Sequence, residues 1–386
     1  MTTLLAKIFF FLSISIFFFS CDNPKEISFE LTDSNRIAVN ATVNGKSGKF
    51  FWDTGSYVSL FDCDFDASNF SHKGIMAFYF ENPEEVDYYY LPEIIIDGAR
   101  LKGASEITGT TANLRSRTLE PEGLDGVLGI NVFAGYWCEL SFSKKKIILH
   151  KRKPASFEKF VPVGLEGNYF CIPVDVDERK QPFIVDTGAR GMYFPVSVIV
   201  GKSKNEYGKI LFPMTTRNMY LVKTNKISIF DDVFENKAID TNSIWFDGNN
   251  ARGLLGIEFL KGYDLLFDFT NLPFSASGLY YKRIDTERDE RKLFPWGEAR
   301  VERILEAGIY SFYRIPEGIT LGIIEGSVLN AEYGITERTI ITKIDGKPAR
   351  EISDRDMWNM DIFKVKNFTV LEDGNERTIE FKLENR

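Results

Sequence analysis

The sequence predicts a mainly β protein: two duplicated β lobes followed by a small α+β domain. Three observations predict it. The triplet Asp-Thr-Gly occurs twice, as Asp53-Thr54-Gly55 and Asp186-Thr187-Gly188, each time after an apolar strand-like run, Phe50-Phe51-Trp52 and Phe183-Ile184-Val185. A second motif repeats at nearly the same offset after each triplet, Gly126-Val127-Leu128-Gly129-Ile130 and Gly253-Leu254-Leu255-Gly256-Ile257. Repeat character then stops at a charge-dense run, 284–294, beyond which the pattern changes. The expected organisation is a targeting segment at 1–20, lobes at 27–153 and 158–283, a linker at 284–294 and a last domain at 295–386. A repeat of this size is a duplicated lobe rather than a solenoid unit.

Residues 1–20 carry one charge, Lys7, and an apolar, aromatic run from Ile8 to Phe19. The run ends at Ser20-Cys21, where a polar stretch begins. An apolar segment with a small residue before a Cys resembles a bacterial lipoprotein signal, which implies a mature chain lipidated at Cys21 and held to a membrane outside the cytoplasm. The run is shorter than the ~20 residues that span a bilayer. A plain signal peptide or a short anchor helix with an incidental Cys is the other reading.

In the first lobe, Arg36 to Val43 alternates in polarity and meets Asn44-Gly45, a strong hairpin turn. The next strand runs into Asp53. Ile94-Ile95-Ile96, Asp97-Gly98 and Ala99-Arg100-Leu101 make a second hairpin signal. Cys138 to Phe142 and Lys146 to Leu149 close the lobe. The order returns in the second lobe: Tyr169 to Val176 as a strand, Asp177 to Lys180 as a turn, and a strand running into Asp186. Lys226 to Phe230 with Asp231-Asp232 takes the middle position, and Tyr263 to Phe269 is the closing strand.

Composition excludes several functions. The 386 residues are 44% hydrophobic, enough for two or three domains with real cores, and the net charge of −8 does not suit a nucleic-acid surface. Lys144-Lys145-Lys146 reads as a solvated turn. Of the four Cys (21, 63, 138, 171), lipidation of the first leaves at most one disulfide and one free thiol. His72 and His150 are the only histidines. Histidine-dependent nucleophilic catalysis and a His-rich metal site are therefore poorly supported, no Cys pair has metal-ligand spacing, and no cofactor or metal is expected.

One Asp-Thr-Gly arises by chance in a chain this long on the order of a tenth of the time, and two are much rarer. Paired carboxylates made equivalent by a repeat suit a proton-sharing dyad. Like charges about 3 Å apart cannot both ionise, so one acid stays protonated while the other acts as a base. The two triplets, each followed in its own half by an apolar-Gly segment, resemble the pepsin and retropepsin superfamily of aspartic proteases over roughly residues 30–283. The short lobes are closer to the retropepsin-like bacterial members. The resemblance implies a two-lobed acid-protease-like β fold with Asp53 and Asp186 as catalytic residues. Thr54 and Thr187 would hydrogen-bond across the interface, and Gly55 and Gly188 would let the loops approach. Ser56 and Ala189 stand where the family commonly has Ser or Ala.

Such a site needs a hairpin that closes over the substrate. The candidates are about 71–91, with Tyr88-Tyr89-Tyr90, and about 208–222, with Met214, Met219 and Tyr220. Their aromatics suit either an apolar peptide cleft or core strands.

In the last domain, Glu298 to Ala307 followed by Gly308 reads as a short helix. Gly326-Ser327, the stretch from Ala331 to Gly334-Ile335, and Ile344-Asp345-Gly346 are similar to a bacterial PDZ domain, although Arg338-Thr339 stands where that family usually has Gly-Asp. The resemblance implies capture of a peptide by strand addition along Ile319-Thr320-Leu321-Gly322. Asp354 to Met360 would line the groove as a helix, and Phe368 to Leu371 with Thr378 to Phe381 would be closing strands. A small mixed domain that only packs on the lobes is the alternative.

These readings combine into a membrane-anchored aspartic endopeptidase acting on peptide or protein substrates outside the cytoplasm, with a PDZ-like peptide-binding domain. Both triplets lie in one chain, so a monomer suffices for activity. The rival is a catalytically idle cell-envelope scaffold that binds partners through the PDZ groove. Metal and serine hydrolases are weaker rivals.

Overall fold

The computed structural model describes residues 24–43, 45–57, 59–62, 71–79, 83–90, 94–101, 108–112, 123–166, 169–203, 206–212, 215–241, 252–271, 278–284, 290–294, 308–353, 356, 364–372 and 374–381. The targeting segment, Cys21, Cys63, Met214, the helix expected at 298–307 and most of that expected at 354–360 lie outside these residues. The fold is mainly β, with 58% of the described residues in strands.

Turn chemistry sets the hairpins. Ile37–Val43 pairs antiparallel with Lys46–Trp52 around Gly45, whose φ of 85° lies in the left-handed region that favours glycine. Ile94–Ile96 pairs with Ala99–Leu101 around Asp97 and Gly98, at φ 46° and 76°. Tyr169–Val176 and Arg179–Val185 turn through Asp177 and Glu178, also at positive φ. Gly, Asn and Asp tolerate this conformation best, which is why Gly45 and Asp97-Gly98 end strands.

The chain separates into two compact units that do not follow the expected lobes. The first comprises the chain as far as Phe170, then Asp186–Arg190 and Leu260–Glu287. Its six-stranded sheet runs Lys25–Ser28, Lys146–His150, Trp137–Ser141, Tyr263–Asp268, Gly278–Arg283, Lys159–Pro162. The closing strand of the second repeat, Tyr263–Asp268, thus pairs directly with that of the first, Trp137–Ser141. The middle strands bury Cys138, Leu140, Ile147, Leu149, Leu265, Phe267 and Leu279 on one face, and the buried aromatics Trp52, Phe133, Phe170, Phe267 and Phe269 cluster within the unit, mostly edge to face. A second sheet in this unit holds the strand before Asp53 and the hairpin Ser71–Tyr79 with Pro83–Tyr90.

The second unit comprises Cys171–Val185, Gly191–Phe259 and Arg288–Arg386. Here the strand Tyr207–Phe212 pairs with Gly318–Ile324, so the C-terminal strands continue one sheet with those of the second repeat. Ile319, Leu321, Ile323, Ile341, Phe368 and Val370 are the centre of a separate apolar core. Asn367–Glu372 and Asn375–Glu380 form the expected closing hairpin.

Two expectations are corrected. The segment 284–294 is not solvated to its end: Glu290–Leu293 is a helical turn, Leu293 and Phe294 are buried, and Phe294 packs on Phe234 at 4.9 Å. Second, Ile319, Thr320, Leu321 and Gly322 are not an open strand. All four are buried in Gly318–Ile324, which pairs along one side with Ile309–Ile315 and on the other with Ile340–Ile344 at one end and Tyr207–Phe212 at the other. Their complete burial marks a central strand. The outer neighbour, Ile309–Ile315, has pairing on one side only among the described residues.

The Cys138 and Cys171 side chains are both buried. Among the described residues, no helix is long and apolar enough to cross a membrane, and no group of His, Cys, Asp and Glu is arranged to hold a metal ion.

Candidate active site

Asp53 and Asp186 each follow the last residue of a strand held in the same way. Lys46–Trp52 lies parallel to Gly126–Leu128 with Phe50 opposite Gly126 and Trp52 opposite Leu128. Arg179–Val185 lies parallel to Gly253–Leu255 with Phe183 opposite Gly253 and Val185 opposite Leu255. The register relative to each Asp is identical. The glycines that open these inserted strands leave no room for a side chain. A Cβ on Gly126 would strike the Leu60 carbonyl, and one on Gly253 would lie 2.5–2.6 Å from the Phe183 ring. The Asp53 N–H donates to the Leu128 carbonyl at 2.9 Å, which anchors the start of the loop.

The segment Asp186–Arg190 sits in the first unit, against the loop 53–56. The two triplets meet through a reciprocal pair of hydrogen bonds. The Thr54 N–H donates to the Thr187 hydroxyl at 3.0 Å, and the Thr187 N–H donates to the Thr54 hydroxyl at 3.0 Å. The Thr187 hydroxyl donates in turn to the Trp52 carbonyl at 2.8 Å. Both threonines are fully buried, so these bonds are made away from water, where an unpaired donor is costly.

The lock brings the carboxyls together, and Asp53 and Asp186 share a hydrogen bond. Each is screened by the other triplet's glycine. A Cβ on Gly55 would lie 2.6 Å from the Asp186 carboxylate oxygens, and one on Gly188 would lie 2.6–2.7 Å from those of Asp53. Real Cβ atoms do not approach so closely, so glycine is required by packing at both positions.

The two acids differ in their backbone partners. Asp186 Oδ1 accepts from the Gly188 N–H at 2.8 Å and the Ala189 N–H at 2.9 Å. Asp53 Oδ1 accepts from the Gly55 N–H at 2.7 Å. Burial and then the neighbouring Asp186 charge push Asp53 well above the usual carboxylate range. Burial also raises Asp186, opposed by the bonds from Asp53 and the two N–H groups. Two backbone N–H groups donate to Asp186 against one to Asp53, which favours the ionised form at Asp186 and the shared proton on Asp53. Ser56 contributes through its backbone: its N–H donates to the Asp53 carbonyl, and its carbonyl accepts from Ile130 at 2.9 Å.

Three supporting residues escaped the sequence reading. Ser59 is buried, accepts from the Gly129 N–H at 3.2 Å and bonds Asn131 at 3.3 Å, tying the Gly129 loop to the chain after the triplet. The polar Asn131 within the apolar run Ile130–Phe133 was the available signal. Arg36 lies over the Phe51 ring at 5.0 Å, and its charge draws Asp53 partly down. Nothing local in the sequence marks it. The flap candidate at 71–91 is a hairpin in which His72 bonds Asp87 at 2.9 Å and packs on Tyr89. Residues 80–82 and 91 lie outside the described residues.

No protein-family model matches the chain, and no curated protein matches it.

Proposed function

We propose that the protein is an aspartic endopeptidase of the pepsin and retropepsin type, with Asp53 and Asp186 as its dyad. The observation that carries this reading is the reciprocal Thr54–Thr187 lock, which holds two carboxyls in hydrogen-bonding contact with one favoured proton between them. The identical register around each Asp supports an origin of the two halves by duplication.

The chemistry follows from the asymmetry of the pair. A water lying between the carboxyls gives a proton to the ionised Asp186, and its oxygen attacks the scissile carbonyl carbon. Protonated Asp53 donates to the developing oxyanion. The tetrahedral diol then collapses. The proton held by Asp186 passes to the leaving amine, and Asp53 recovers its own from the diol hydroxyl as the carbonyl re-forms. No metal or organic cofactor takes part in this scheme.

Residues 309–381 form a PDZ-like module in this reading. Strand addition of a peptide would use the outer strand Ile309–Ile315, because Ile319–Gly322 is enclosed. A lipid on Cys21, as the lipoprotein-like signal implies, would anchor the enzyme to a bacterial membrane outside the cytoplasm.

The test is cleavage of a diverse peptide mixture from acidic to neutral pH by the soluble chain starting after Cys21, beside Asp53→Asn and Asp186→Asn. Cleavage lost in both variants is expected. Cleavage retained in either overturns the dyad. No cleavage by the parent would favour a scaffold, or an enzyme that needs a peptide on its C-terminal module first.

A further inference from the structure

The chain carries a net charge of −8, yet residues 144–159 contain seven Lys or Arg and a single acidic residue, Glu158, a local charge of +6. Lys144, Lys145 and Lys146 lie at the hairpin-turn end of Lys146–His150, where Lys144 pairs with Glu139 and Lys146 with Glu26, whereas Lys151, Arg152 and Lys153 follow its opposite end. The strands Lys146–His150 and Lys159–Pro162 occupy the second and last positions of the six-stranded sheet, so the connection 151–158 must traverse three intervening strands. That distance is about 19 Å at the usual strand spacing, most of what eight residues can reach. The connection is held down by its lysines. Lys151 Nζ lies 3.9 Å from the centroid of the Tyr136 ring, and Lys153 Nζ lies 3.8 Å from that of Tyr280. Lys151, Arg152 and Lys153 are all exposed. Tyr280 packs against Phe160, a large aromatic left 49% exposed, and against Trp137.

The amino-terminal strand leaves the sheet at this same place. Lys25–Ser28 pairs antiparallel with Lys146–His150, with Lys25 opposite Leu149, so the chain before Lys25 departs from the end where Lys151 begins. Cys21 precedes Lys25 by four residues in the sequence, so a lipid on it would be joined to this end of the sheet by a short tether.

We propose that Lys151, Arg152 and Lys153, with Phe160 beside them, form a docking surface for the anionic headgroups of a phospholipid bilayer. This rests on the reading of Cys21 as the lipidated residue. An acyl anchor brings the bilayer to this end of the sheet, the basic strip is complementary to acidic headgroups, and an exposed aromatic between basic residues suits the interface. Two signals together would hold one fixed face of the first unit on the membrane. A single tether alone would leave the protein free to tumble.

The experiment uses the unlipidated chain starting after Cys21, so that binding is read without the acyl anchor. Whether Cys21 carries lipid is read separately, from the mass of the amino-terminal peptide of the membrane-extracted protein. Sedimentation with vesicles of phosphatidylcholine mixed with phosphatidylglycerol should carry the protein down at low salt. Vesicles of phosphatidylcholine alone should not, and added salt should release it. Replacing Lys151, Arg152 and Lys153 together with Gln should weaken binding about a hundredfold, on the usual contribution of a cation near such a surface. Lys151→Arg with Lys153→Arg should bind as the parent does. Gln at Lys180, Lys347 and Arg350, exposed elsewhere, should leave binding unchanged, and all variants should melt with the parent. Binding that survives the Lys151–Lys153 replacement, or no binding to anionic vesicles, overturns the proposal. So does binding to a soluble polyanion such as heparin without binding to vesicles.

Discussion

Thr54 and Thr187 each donate a backbone N–H to the other's hydroxyl at the same distance, 3.0 Å, although 133 residues separate them. The pair is the physical joint that brings the two acids together. Thr187→Val keeps the shape but removes the acceptor for the Thr54 N–H and the donor to the Trp52 carbonyl. Leaving buried backbone groups unpaired should cost about 2–4 kcal/mol. Thr187→Ser keeps both bonds and should cost under about 1 kcal/mol. Urea midpoints of the two variants measure the difference, and equal midpoints would show that the hydroxyl does not matter.

Gly55 and Gly188 separate stability from activity. Alanine at either position puts a methyl group about 2.6 Å from the opposing carboxylate, so the acids must part. Neither glycine is at positive φ, so the backbone itself is not strained by the change. Peptide cleavage should fall at least a hundredfold in each variant, as misplacement of reacting groups by an ångström commonly costs. Overpacking should cost about 1–3 kcal/mol of stability. A variant that cleaves normally would mean that the acids tolerate separation and that the reading of the dyad is wrong.

How much of this was legible in the sequence depended on the distance over which each signal acts. The hairpins at Gly45 and Asp97-Gly98 were readable because their residue types are set by local backbone geometry. The triplets were readable because the same local demand occurs twice. The pairing of Tyr207–Phe212 with Gly318–Ile324 was not, because a strand's choice of distant neighbour leaves no mark in its own residues. That pairing is what encloses Ile319–Gly322, an apolar run that reads equally as an edge groove or a central strand. Leu293 and Phe294 were hidden for a similar reason: they follow a run of charges, and only their partner Phe234 explains their burial. The Ser59–Asn131 bond depended on two polar residues that look ordinary apart.

Gly308 and Ser327 give a test within the C-terminal module. Gly308 has φ 102°, and a Cβ there would collide with the Ser327 hydroxyl. Gly308→Ala should therefore destabilise by about 2–3 kcal/mol through strain and collision together. Among the described residues, Ser327 Oγ is buried without a hydrogen-bond partner, and Ser327 makes no capping bond to the helix Val328–Ala331. Ser327→Ala should accordingly be neutral or slightly stabilising, the reverse of the usual loss when a capping Ser is removed. Denaturant unfolding followed by a probe in residues 309–381 decides it. A loss of more than about 1 kcal/mol for Ser327→Ala would mean that its hydroxyl is bonded in solution.

The raised pKa values of the dyad make a signed prediction for both stability and activity. Asp53 and Asp186 are held above the ordinary 3.8. Each therefore binds its proton more tightly folded than unfolded. Between 3.8 and the raised native values the folded chain holds more protons, so stability falls as pH rises through that window. The contribution is fully present below 3.8 and lost above the native values. Asp53→Asn removes one acid of the pair, so its stability curve should be flatter and should lie above the parent's at neutral pH. Activity should be bell-shaped. It falls on the acid side as Asp186 takes up a proton and can no longer act as the base, and on the alkaline side as Asp53 loses its own. The two limbs belong to the coupled pair. Arg36→Gln removes a cation that draws Asp53 down, so it should shift the alkaline limb of kcat/KM upward while moving the acid limb less. A shift of both limbs by the same amount, or of the alkaline limb downward, would mean that Asp53 does not hold the shared proton.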